Sequence, residues 1–207
     1  MTRQPPRFSL PGRAWAALAL CHGLASLLVW HLPSAWLDWQ PSLAGLQPWR
    51  AWTAAWVHWS PLHLSTNLLA AAVVAAFGWA AQVPSAAALA WCLSWPLTHW
   101  GWWLRPELGH YGGLSGILHG GVAIVCAWLL LASRGWRRAI GAAVTLGMLI
   151  KLVQERPWGA VLRHGGEWDI AVAPMAHTLG AAAGLICAAL VALVLRVRDR
   201  SGGASRL

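Results

Sequence analysis

HYGGLSGILHGGVAIVCAWLLLA, residues 110–132, places Ser115 among glycines at the head of an apolar run long enough to cross a bilayer. A helix rises 1.5 Å per residue, so about 20 mostly apolar residues span roughly 30 Å of hydrocarbon. The run therefore predicts a membrane helix whose first turn carries a hydroxyl. His119 falls one helical turn after it on the same face.

The same criterion applied outward finds five further segments. The six expected spans are residues 14–32, 62–82, 84–103, 114–132, 139–153 and 174–195. Composition agrees, because a 207-residue chain that is 58% hydrophobic and 10% charged lacks the polar residues to cover a soluble surface. The first span follows Arg3, Arg7 and Arg13 and has the look of a signal peptide; with five spans after it and no small-residue cleavage site, it is expected to stay as an anchor. The chain reads as one membrane domain over 1–207, with short tails at about 1–13 and 196–207.

Charge gives the orientation, since cytoplasmic loops hold the excess of Lys and Arg. With the N-terminus inside, Arg3, Arg7, Arg13, Arg134, Arg137, Arg138, Arg196, Arg198, Arg200 and Arg206 fall on the inner side. The other side and the span ends hold Arg50, Arg105, Lys151, Arg156 and Arg163, together with Asp38, Glu107, Glu155, Glu167 and Asp169. Both termini are thus expected in the cytoplasm. The net charge of +9 comes from these scattered clusters and not from one basic stripe, so no nucleic-acid partner is expected. Cys21, Cys92, Cys126 and Cys187 lie in apolar runs without CxxC spacing and read as packing residues; neither a metal nor a cofactor is expected. Eighteen tryptophans, among them Trp36, Trp39, Trp49, Trp52, Trp56 and Trp59, place residues 33–61 in the outer interface as short amphipathic pieces.

Polar side chains inside spans are costly and mark function. In HLSTN, His63 and Asn67 share a helix face; in AHTLGAAAG, His177 shares one with Gly180 and Gly184, a small-xxx-small pattern that admits a close helix neighbour. Spans two, four and six all begin on the outer side, so His63, Asn67, Ser115 and His177 come to similar depth. The chemistry that such a group supports is acyl transfer. Ser115 is the expected nucleophile and His177 can serve as its base, while His63, Asn67 and the Ser115 backbone N–H can supply donors for an oxyanion. Gly112, Gly113 and Gly116 leave room for a substrate backbone. No Asp or Glu lies inside a span, so a Ser–His dyad is expected. Taken singly, each of these residues has a packing explanation.

GxSG opening a fourth span, HxxxN in a second and AHxxGxxxG in a sixth resemble the rhomboid intramembrane serine proteases, and QPWRAWTAAWVHWSPLHLSTN, residues 47–67, is similar to that family's passage from the first loop into span two. The resemblance covers about residues 47–184. It implies an all-α, six-helix bundle with a water-filled cavity open to the outside and a serine endopeptidase activity. Ser115 and His177 are then catalytic, His63, Asn67, Gly113 and Leu114 stabilise the oxyanion and substrate, and His119, Gly116, Gly180 and Gly184 support them. Many rhomboids carry a tyrosine where this chain has His119, and YxGLSGxLHG resembles the rhombosortase branch. That branch implies membrane-anchored protein substrates with a C-terminal Gly-Gly motif, a transmembrane helix and a basic tail, and a site facing the periplasm from a bacterial inner membrane. The alternatives are an inactive rhomboid-like protein that binds membrane clients, and a metalloprotease or transporter using the histidines as ligands. The last lacks an HExxH sequence and any internal repeat.

Overall fold

The structure, a computed structural model, describes residues 11–166 and 168–204. Arg3, Arg7, Glu167 and Arg206 of the charge argument lie outside the described residues. Among the described residues seven α-helices follow in order: α1 Arg13–Val29, the short α2 Arg50–Thr53, α3 Pro61–Ala80, α4 Ser85–Trp100, α5 Ser115–Ala132, α6 Gly135–Gln154 and α7 Met175–Ala204. Extended pairing among the described residues is confined to two isolated bridges, Trp39 with Tyr111 and Arg163 with Val172.

The six long helices coincide with the six expected spans, but three of them, Pro61–Ala80, Ser115–Ala132 and Met175–Arg198, are long and apolar enough to cross a membrane by length and composition. The others fall short for local reasons. Helices α1 and α4 have 17 and 16 residues, and α6 carries Arg137, Arg138 and Lys151. Outward faces are apolar along the bundle, with Leu28, Leu69, Leu131, Leu146 and Leu185 exposed, a surface suited to lipid.

Helix α3 starts where its sequence says it should: Pro61 occupies its first position, and the Ser60 hydroxyl accepts the His63 backbone N–H at 3.0 Å as an N-cap. Residues 33–61 form short helical pieces, as expected, with Trp36, Trp49, Trp52 and Trp59 exposed and Trp39 buried. Other indoles are interior clamps. Trp15 stacks on Trp91 at 4.2 Å, and their N–H groups donate to Val74 O and Ile117 O, both at 2.9 Å. Trp95 donates to Trp52 O at 2.9 Å. Of the cysteines, Cys126 and Cys187 are buried, whereas Cys21 and Cys92 lie on the exposed outside of the bundle and do not pack in its core.

The closest helix pair is α5 with α7. A Cβ on Gly180 would collide with the Gly116 carbonyl, and one on Gly184 would stand 2.5 Å from Gly120 O. The absence of side chains at these positions lets the two backbones touch, which carries His177 to the flank of Ser115.

Candidate active site

Helices α3, α5 and α7 all begin at one end of the bundle, and a cavity of about 340 Å³ opens there. His63 and Asn67 from α3, Ser115 from α5 and His177 from α7 line it together. Tyr111, Lys151, Glu155, Leu162, Arg163, Trp168 and residues 170–174 add to its wall. Among the described residues Ser115 and His177 share no direct hydrogen bond. Such contacts are often long before substrate arrives.

Gly112 lines the cavity too, whereas Gly113, Leu114, Gly116, His119, Gly180 and Gly184 stand around it and not in its lining. Gly113 adopts φ +121°, a region that favours glycine, and a Cβ there would lie 2.7 Å from His63 Nε2. Its N–H donates to Ala54 O at 2.9 Å, which fixes the turn into α5. Leu114, expected beside the substrate, is fully buried and offers no surface to the cavity. Gly116, Gly180 and Gly184 act at the α5–α7 contact. His119 lies flat on His177, with ring centroids 4.1 Å apart, and its Nδ1–H donates to the Ser115 carbonyl at 2.7 Å.

The approach to Ser115 is held by the first loop. Tyr111 and Trp39 exchange backbone hydrogen bonds of 2.7 and 2.9 Å. Next to them, buried Asp38 accepts from Arg50 Nη1 at 3.1 Å and pairs with His110 Nδ1 at 2.6 Å. Arg50 also reaches the carbonyls of Asp38 and Ala35. On the opposite rim, the Ser60 hydroxyl donates to Asp169 at 2.7 Å, which ties the 162–174 segment to the start of α3. His58, three residues before α3, is buried and packs beside His63 with ring centroids 4.7 Å apart. Burial lowers its pKa to about 4, against the raising effect of its bond to the Trp56 carbonyl.

Sequence reasoning missed Lys151 and Glu155. Helix α6 runs so that its last turn returns to the cavity end, where Glu155 Oε2 accepts from His177 Nδ1 at 2.7 Å. Lys151 binds the same carboxylate, and its ammonium lies 3.2 Å from His177 Nδ1. Burial raises the Glu155 pKa, but the bonds from His177 and Lys151 outweigh it and bring it down to about 2. The signal was present in KLVQE, where Lys151 and Glu155 stand four apart on one helix face.

An all-helical multi-pass membrane protein with serine, histidine and asparagine gathered in one end cavity is the class that fold and site define. The Rhomboid domain family model matches residues 45–194, and the chain belongs to the rhomboid family, whose members generally are intramembrane serine proteases. No curated protein matches the chain.

Proposed function

We propose that this chain is an intramembrane serine endopeptidase in which Ser115 is the nucleophile and His177 the base. The observation that carries the reading is the single cavity lined by Ser115, His177, His63 and Asn67, drawn from three helix starts. Ser115 Oγ attacks the scissile carbonyl while its proton passes to His177. The carbonyl electron pair moves onto oxygen, where the Asn67 amide, His63 and the Ser115 backbone N–H supply donors. His177 returns the proton to the departing amine as the C–N bond breaks, and water then hydrolyses the acyl-enzyme.

Residues 1–207 act as one membrane domain in this reading, with all six long helices crossing the bilayer and both termini in the cytoplasm. The charge asymmetry across the helix ends supports that orientation. The cavity then opens to the outer, periplasmic side of a bacterial inner membrane. Substrates are membrane-anchored proteins with a C-terminal Gly-Gly motif, a transmembrane helix and a basic tail. The support is YxGLSGxLHG and the chemistry of glycine, which unwinds a helix cheaply at the point of cleavage. The inactive client-binding alternative is disfavoured, because it needs no serine facing a histidine-lined cavity.

The test is cleavage of tailed reporters in membranes, with and without Gly-Gly, by the full-length protein. Ser115→Ala and His177→Ala are expected to abolish it, and removal of Gly-Gly to abolish it for the wild type. Undiminished cleavage by either variant would refute the nucleophile–base assignment.

A further inference from the structure

We infer that Glu155 is a positioning residue for the base, so that the catalytic group is Ser115–His177–Glu155 and its acid comes from just beyond the end of α6. This rests on the assignment of Ser115 and His177 above. The carboxylate Oε2 stands 2.7 Å from His177 Nδ1, and a carboxylate accepts, so the ring hydrogen sits on Nδ1. The basic lone pair is therefore on Nε2. An ammonium has no lone pair to offer, so the Lys151 contact with Nδ1 is not a hydrogen bond; its hydrogen bond goes to the other oxygen of Glu155 and holds the carboxylate in place.

His177 is thus fixed on two sides, at its edge by Glu155 and on its face by the stacked ring of His119. When the Ser115 proton arrives at Nε2, the ring becomes an imidazolium with a carboxylate already bonded to its other nitrogen. The carboxylate offsets the new charge and stays ionised, and the proton leaves from Nε2 to the amine as the peptide bond breaks. Glu155 lies outside the spans as the first residue after the helix, where a carboxylate keeps one side towards water.

Two measurements on the full chain in detergent test this. Fluorophosphonate labelling reads the activation of the nucleophile without any substrate. Ser115→Ala is expected to abolish labelling; labelling that persists there overturns the parent assignment. Glu155→Gln is expected to slow labelling at least tenfold, below the ~10⁴-fold loss of a fully buried soluble triad because this carboxylate is part-exposed and shared with Lys151. Glu155→Asp is expected to recover part of the rate. With a cleavable reporter the Glu155→Gln loss is expected in kcat, with KM unchanged. A wild-type rate in Glu155→Gln alongside a dead Ser115→Ala overturns the role of Glu155 alone. The second measurement needs no variant at Glu155: ¹⁵N-histidine NMR of the wild type, with His177 assigned by His177→Gln, is expected to show neutral His177 protonated at Nδ1. An Nε2–H ring overturns the inference.

Discussion

The imidazole of His119 lies on that of His177, their centroids 4.1 Å apart and their planes 18° from parallel. His119 also donates from Nδ1 to the carbonyl of Ser115, so one side chain touches both the nucleophile's backbone and the face of the base. An aromatic contact of this kind contributes about 0.5–1.5 kcal/mol. His119→Phe keeps the stack and loses the hydrogen bond, whereas His119→Ala loses both. The expected kcat/KM is reduced roughly 2- to 10-fold in His119→Phe and further in His119→Ala, and reporter cleavage by the two variants side by side measures the difference.

Asp38 and Arg50 form a buried ion pair, with side chains 2% and 5% exposed. Removing one partner of such a pair strands the other charge and costs on the order of 3–5 kcal/mol. Asp38→Ala is expected at the lower end, since Arg50 keeps the carbonyls of Ala35 and Asp38 and the amide of Gln47. Thermal unfolding in detergent measures the loss. Activity is expected to fall with it, because Trp39, the next residue, holds Tyr111 in front of Ser115.

Gly180→Ala presses a methyl group against the Gly116 carbonyl, a backbone atom that cannot turn aside. Overpacking of this kind costs about 1–3 kcal/mol. Gly147→Ala, in the middle of α6 with nothing within 4 Å, is the contrasting substitution, expected to be neutral or to stabilise by up to about 1 kcal/mol through helix propensity. Melting of the two variants separates the α5–α7 contact from a general effect of glycine.

Acid is expected to destabilise the fold in two windows. His58 is held neutral, its pKa lowered from 6.5 to about 4, so the unfolded chain binds the extra proton and stability falls as pH drops from about 6.5 towards 4. Glu155 has its pKa depressed from 4.5 to about 2; its contribution is present above 4.5 and lost as pH falls towards 2. Urea unfolding across pH is expected to show a smaller loss over the upper window in His58→Asn and over the lower one in Glu155→Gln, each variant removing its own group's share.

Much of this was open to reading in the chain itself. Spacing alone brings His63 over Asn67 and His177 over Gly180, because a helix repeats every 3.6 residues whatever surrounds it. The start of α5 at Ser115 follows from the apolar run behind it. Glu155 was hidden for a different reason. Its partner lies 22 residues further along, across a loop whose path no local pattern dictates. The interior tryptophans were hidden similarly: Trp91 and Trp103 look alike in sequence, and only the neighbour each meets makes one a buried clamp and the other an exposed ring.

The paired backbones of Trp39 and Tyr111, with the Asp38–Arg50–His110 cluster beside them, bind the first loop and the approach to Ser115 into one mechanical part. Anyone grafting the GLSG turn of this chain into another rhomboid scaffold would move half a machine. Residues 38–50 have to travel with it, or the transplanted serine arrives without its mount.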